Sequence, residues 1–257
     1  MSKKIRRNPF SSRNKGATVS QVGMRLNRYI AHCGVCSRRE ADELIAAGRI
    51  RVNDRVVTEM GYRLQAGDKV YLGKRQLKRE DYVYVLLNKP KDFITTTKDP
   101  RARKTVMDLV KKAADVRLYP VGRLDRQTTG LLLLTNDGEL AERLSHPSYN
   151  IRKIYKVELD KPLTKRHFQD IANGLTLDDG PVKVDDLAIL EGDGRAVGIE
   201  LHSGRNRIVR RIFEHLGYRI KKLDRVVYAG LTKENLPRGK WRYLTAKEIG
   251  LLKKKGH

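Results

Sequence analysis

The sequence predicts an α+β protein built from two folded units: a small helix–helix–hairpin module, then a larger domain of strands with flanking helices. Three observations carry this. Residues 24–48 twice show apolar side chains at helical spacing, and residues 50–72 then alternate between turn signals. A polar, charged stretch, GKRQLKRE at 73–80, breaks the pattern and reads as a linker. Beyond it, apolar runs of strand length alternate with turn residues and helical stripes.

In the first unit, Leu26, Tyr29, Ile30 and Cys33 fall on one face of a helix that Gly34 ends, with Arg25 and Arg28 off that face. Ser37-Arg38-Arg39-Glu40 is a capping-box pattern, in which the hydroxyl and the carboxylate each satisfy an orphan N–H at a helix start. It opens a second helix through Ala41, Leu44 and Ile45, stopped by Gly48. Ile50 and Val52 alternate, Asn53-Asp54 turns the chain, and Val56 begins the return strand. Gly67-Asp68 marks a further turn before Lys69 to Leu72. The expected boundaries are 24–73 for the module, 74–81 for the linker and 82–252 for the larger domain. Residues 1–22 carry no acidic residue and few apolar ones; they read as a disordered basic tail, with an organelle transit peptide as the alternative.

The larger domain opens with an apolar strand, Tyr82 to Leu87, leading into Asn88-Lys89-Pro90. Thr95 to Lys104 reads as loop and Val106 to Val110 as a short helix. The chain is organised around the next stretch, Tyr119 to Gly138. Leu131 to Leu134 is too short for a membrane span and is bounded by turn residues, so it reads as a buried strand. The loop before it carries one carboxylate, Asp125, braced against a sheet, which suits a group that must be held rigidly. Glu139 to Leu144 follows as a helix stopped by His146-Pro147, and Tyr155 to Leu159 and Ala196 to His202 read as strands. Residues 174–180 and 191–194 read as loops. Ile208, Val209, Ile212, Phe213 and Leu216 form a helical stripe closed by Gly217.

Composition narrows the function. The 257 residues carry 55 Lys+Arg against 30 Asp+Glu, a formal net charge of +25. Such an excess favours a polyanionic partner, because each neutralised phosphate releases counterions. No apolar run reaches membrane-spanning length and no secretory signal is seen, so no membrane partner and a cytoplasmic address are expected. The two cysteines, Cys33 and Cys36, make a single Cys-x-x-Cys with no second pair, and they read as helix packing rather than a zinc or redox site. The six histidines lie without metal spacing, and neither a phosphate-cradling loop nor a Gly-x-Ser-x-Gly elbow occurs. On spacing alone, Asp125 beside Arg123 would be a surface ion pair.

Resemblance to known families sharpens this. The run RLNRYIAHCGVCSRREADELIAAGRIRVNDRVV resembles the alpha-L RNA-binding module of a small-subunit ribosomal protein and several RNA-modifying enzymes. By that likeness Arg25, Arg28, Ser37, Arg38 and Arg39 face RNA. Gly122-Arg123-Leu124-Asp125, with Thr128 and Gly130-Leu131, resembles the signature of the RNA pseudouridine synthases, in the RsuA/RluB/RluE/RluF group that acts on single uridines of ribosomal RNA. Asn88-Lys89-Pro90, Lys153-Ile154-Tyr155, Gly204 to Arg211, and Lys222-Leu223 with Arg225 agree in order. Two departures are visible: Asp92 stands where the group has glycine, and Ile208 where it commonly has glutamine.

The resemblance implies a catalytic domain with a mixed, mainly antiparallel sheet, and an enzyme that needs no metal or organic cofactor. It implies Asp125 as nucleophile or as the group that starts glycal formation. Arg210 would keep that carboxylate ionised through a two-bond fork, and Tyr155 would stack on the base. Arg123, Leu223, Asn88, Lys89 and Arg205 would contact substrate. The partner would be ribosomal RNA, as a structured stem-loop or an assembling large subunit, and the enzyme a monomer. The run Leu236 to Trp241 is most like the large-subunit enzymes. The alternatives are a non-catalytic RNA-binding or ribosome-assembly protein, against which Asp125, Tyr155 and Arg210 together argue, and a nuclease or ligase, for which metal ligands and a nucleotide loop are missing.

Overall fold

The computed structural model describes residues 21–190 and 192–254, so all but the last two residues of the expected tail over 1–22 lie outside it. The chain divides into two compact units. Of the described residues, those up to Val83, with Ala114–Arg117, form the first; Tyr84–Ala113 and those from Leu118 onward form the second.

In the first unit, α1 (Leu26–His32) and α2 (Arg38–Ala46) precede four strands, β1 (Ile50–Val52), β2 (Arg55–Val56), β3 (Val70–Leu72) and β4 (Arg75–Gln76). The strands form one antiparallel sheet in the order β2-β1-β3-β4. The capping box forms as its spacing predicts: the Glu40 N–H donates to Ser37 Oγ at 3.2 Å and the Ser37 N–H to Glu40 Oε2 at 2.8 Å. Ile30, Ile45, Ile50 and Val70 meet in the core. Cys33 packs there as well, and burial pushes its thiol up to about 12, which leaves it inert at neutral pH.

The stretch 74–81 is not the linker its composition suggests. It carries β4, and Leu77 is 2% exposed in the core, where its carbonyl accepts the Tyr29 hydroxyl at 3.2 Å. Leu77, the one apolar residue in that charged run, packs into the core beside β4, the edge strand paired with β3.

The second unit is a nine-stranded mixed sheet with helices. In chain order it contains β5 (Tyr84–Lys89), α3 (Val106–Val110), β6 (Tyr119–Pro120), β7 (Thr129–Thr135), α4 (Gly138–Ser145), β8 (Lys153–Leu159) and α5 (Lys165–Asn173). Then come β9 (Leu175–Leu177), β10 (Gly180–Val182), β11 (Asp186–Ile189), β12 (Ala196–Leu201), α6 (Ile208–His215), β13 (Ile220–Tyr228), β14 (Leu231–Thr232), β15 (Trp241–Tyr243) and α7 (Ala246–Lys254). The sheet runs β11-β12-β8-β13-β7-β5-β15, with β14 on β13 and β6 on β7. Its neighbours are antiparallel except β13 and β7, which run parallel.

All seven residues of β7 are buried. Each of its four leucines contributes about 1.5–3 kcal/mol relative to exposure. Gly130 permits the close approach of β13: a Cβ there would lie 2.3 Å from the Arg225 carbonyl oxygen. Asp137, expected in a turn, caps α4 by accepting the Leu140 N–H at 3.1 Å and also accepts the Tyr84 hydroxyl at 2.8 Å. Residues 174–180, expected as a loop, instead make most of the β9–β10 hairpin.

Candidate active site

Asp125 stands in the loop between β6 and β7, and that loop is held through its backbone. Lys89, the last residue of β5, has no exposed surface, and it lies beside Gly130 in the sheet. Its ammonium donates to the carbonyls of Pro90, Asp125, Arg126 and Thr128 at 3.1, 3.0, 3.3 and 2.8 Å. The Thr95 hydroxyl donates to the Leu124 carbonyl at 2.8 Å, and the Thr128 N–H closes a turn onto the Asp125 carbonyl at 3.0 Å. The Asp92 N–H donates to the Arg126 carbonyl at 3.0 Å.

Asp92, the departure from glycine, has φ +68°, the left-handed region that glycine occupies freely and Asp tolerates better than most residues. Its carboxylate accepts Gln127 Nε2 at 3.0 Å and lies 3.2 Å from Arg126 Nε. The side chain that replaces glycine therefore adds contacts to the same loop.

The Asp125 side chain is 45% exposed and opens into a cleft between the 122–128 loop, β8, β13 and the start of α6. Arg210 reaches into this cleft from α6. Its Nε lies 3.7 Å from Asp125 Oδ2, and its Nη2 donates to the Thr128 hydroxyl at 3.3 Å. The expected two-bond fork is absent: the guanidinium divides between the carboxylate and Thr128, leaving the carboxylate with one loose contact. Tyr155 on β8, Leu223 on β13 and Arg123 line the same cleft. Tyr155 lies opposite Arg225 across the β8–β13 pair, so both project to one face.

The remaining candidates stand elsewhere or act differently. Asn88 is 4% exposed, and its amide donates to the Leu236 carbonyl at 2.7 Å. The Lys89 ammonium is spent on protein carbonyls rather than on the expected substrate contact, whereas Asn88 keeps a buried Oδ1 without a hydrogen-bond partner among the described residues. Arg205 does line the cleft, but its donors go to the β9–β10 hairpin: Nε to Asp179 at 3.0 Å, Nη1 to the Pro181 carbonyl at 2.7 Å, and Nη2 to Asp179 and the Gly180 carbonyl. Sequence reasoning missed the holding role of Thr95 and Asp92, and the presence in the cleft of Lys153, Arg225 and Tyr228. The signal for Lys153 and Arg225 was their place in motifs already singled out.

In the first unit, Arg25 precedes α1, and Arg38 and Arg39 open α2; all three are exposed and Arg28 is half-buried. Ser37 serves as the N-cap. Two arginines in the first turn of a helix oppose its dipole, so helix stability does not explain them.

Comparisons with known proteins agree with this geometry. A family model described as RNA pseudouridylate synthase matches residues 83–215, and the S4 domain model matches residues 24–70. The ribosomal large subunit pseudouridine synthase B of Bacillus subtilis (strain 168) is 40% identical over 233 residues, 89% of this chain and 95% of its own length. An uncharacterized RNA pseudouridine synthase of Aquifex aeolicus (strain VF5) is 36% identical over 233 residues, 89% of this chain and 93% of its own. The crystal structure of a pseudouridylate synthase matches with a TM-score of 0.64 at 29% identity, covering 89% of this chain and 99% of the other. The family model spans more than half of the chain and these relatives exceed 30% identity over nearly all of their length, so the chain belongs to the RNA pseudouridylate synthase family.

Proposed function

We propose that the protein isomerises a uridine of ribosomal RNA to pseudouridine, with Asp125 as the carboxylate that acts on the ribose. The observation that carries this is the Asp125 loop: its backbone is fixed by Lys89 and Thr95 while its carboxylate opens into a cleft shared with Arg210 and Tyr155. The reaction breaks the bond from uracil N1 to C1′, turns the base and joins C5 to C1′. The proton on C5 leaves, and N1 gains one. Asp125 either bonds to C1′ in the interval or removes the C2′ proton to give a glycal. No electrons are gained or lost overall, so no redox partner is required.

In this reading Arg210 places its positive charge beside the Asp125 carboxylate, Tyr155 and Leu223 sandwich the base, and Arg123 meets RNA phosphate. Arg205 supports the hairpin beside the cleft. The uridine must leave its stack to reach Asp125, which costs a few kcal/mol. The first unit, through Arg25, Arg28, Arg38 and Arg39, and the net charge of +25 offset that cost. The name of the B. subtilis relative favours large-subunit RNA as target. A monomer working in the cytoplasm, where ribosomes are assembled, fits the same reading.

The test is incubation with ribosomal RNA from a strain lacking the protein, labelled with tritium at uridine C5. The wild type releases one tritium per pseudouridine formed, at one position. Absence of release from either subunit's RNA, naked or assembled, would refute the reading.

A further inference from the structure

Two cations in the cleft lack a carboxylate partner among the described residues. Arg225 is 2% exposed; its Nε donates to the Leu131 carbonyl at 2.8 Å, and its guanidinium carbon lies 4.3 Å from the centre of the Tyr228 ring. Its Nη2 is buried without a hydrogen-bond partner, and no Asp or Glu among the described residues pairs with it. Lys153 lies two residues before Tyr155 on β8 and so projects to the same face. Its ammonium donates to the carbonyls of Ile151 at 2.9 Å and His202 at 2.7 Å, leaving the third N–H without an acceptor among the described residues.

A β-bulge gathers these groups. Arg225 pairs with Tyr155, Val227 with Ile154 and Tyr228 with Lys153, so β13 has one residue too many between Arg225 and Val227. Strict alternation would send Arg225 and Tyr228, three apart, to opposite faces; the bulge puts both beside Tyr155 and Lys153. An unpaired buried guanidinium is unfavourable for folding. Its place under an open cleft is therefore better explained by what enters the cleft.

We propose that Lys153 and Arg225 form a seat for the negative charge on uracil while it is detached from ribose, which makes Lys153 a catalytic residue. This rests on the reading of the cleft as a uridine-isomerising site. When the N1–C1′ bond breaks, its electron pair leaves with the base and the charge spreads over N1, O2 and O4. The charge disappears when C5 bonds to C1′, after which the C5 proton is lost and N1 is protonated. Cations that meet charge only in that interval lower the barrier rather than tighten binding. A phosphate is charged throughout, so a phosphate seat would strengthen RNA binding and leave the chemical step unchanged. Tyr155 and Leu223 beside the pair suit a flat base, whereas exposed Arg123 suits phosphate.

Burial, and then the charge of Arg225, push Lys153 down to about 8, against the pull of Asp185. Asp185 is itself paired with His202 at 2.8 Å, and Tyr155, Tyr228, Asp125, Arg123, Arg205, Arg207 and Arg210 line the same cleft as Lys153. The full-length protein is tested by single-turnover tritium release from ribosomal RNA labelled at uridine C5, with RNA concentration and pH varied. Lys153→Met should slow the step by about a hundredfold while the half-saturating RNA concentration changes less than about threefold. Lys153→Arg should keep most of the rate and lose the wild type's fall above a pH of about 8. Because Arg225→Met risks the fold, Arg225→Lys is the second variant; it should slow the same step without changing half-saturation. A Lys153→Met variant at the wild-type rate, or one whose loss lies wholly in half-saturation, overturns the proposal while leaving uridine isomerisation standing. Absence of release by the wild type overturns both.

Discussion

Two aspartates of the second unit stand in turns near α6, and they are held in opposite ways. Asp179, at the turn of the β9–β10 hairpin, is fixed through its carboxylate: Arg205 Nε donates to it at 3.0 Å and Arg211 Nη1 at 2.8 Å, with a second contact from each guanidinium. Asp125 is fixed through its backbone, by Lys89 beneath its loop, and among the described residues its carboxylate has an ion-pair contact from Arg210 alone, at 3.7 Å. A carboxylate bound by two arginines is a structural fastener. One whose backbone is overdetermined and whose oxygens remain available can act on a substrate. Proximity of Asp to Arg does not separate the two; the location of the fixing bonds does.

That contrast can be broken at several points besides Asp125 itself. The largest effect is expected from Lys89→Met, which leaves four carbonyls, one of them fully buried, without this donor. It should lower unfolding free energy by about 2–4 kcal/mol and slow tritium release in the remaining folded protein. Urea unfolding at wild-type stability would show that the loop is held otherwise.

Lys89 also gives a pH signature. Burial pushes it from 10.5 down to about 8, against the pull of Asp125 and Asp92. Between those values the unfolded chain binds the extra proton, so this group makes stability rise with pH across that window. The rise should be smaller in Lys89→Met; an equal rise would assign it to other groups.

Arg210→Met should slow the reaction by about ten- to a hundredfold with little change in RNA affinity, and Arg210→Lys should recover part of the rate. A loss confined to affinity would make Arg210 a phosphate contact. Asp179→Asn should cost about 0.5–1 kcal/mol of stability and change the rate less than about threefold. A loss matching that of Asp125→Asn would erase the distinction between the two aspartates. The smallest effect is expected for Asp92→Gly, where relief of the left-handed backbone offsets lost exposed contacts to within about 0.5 kcal/mol.

Much of the frame was legible because local rules sufficed. The Ser37–Glu40 box, the α6 stripe and the four leucines of β7 each follow from spacing alone. The longest strand, β13, was not legible: register shifts after Ile220 and after Arg225 break the two-residue period that reveals strands. The resemblance implied Lys89 as a substrate contact; the carbonyls that converge on it, three of them from residues 125–128, are known only from the fold. Asp125 was found through its motif, whereas the grip on its loop required the fold.

The most direct measurement is single-turnover tritium release by Asp125→Asn, with RNA binding measured on the same preparation. The side chain keeps its size and loses its charge, and the Lys89 and Thr95 bonds to the loop backbone are untouched. The account predicts release slower by at least about a thousandfold and RNA affinity within about threefold of the wild type. Release within about tenfold of the wild type would show that the Asp125 carboxylate does not do the chemistry.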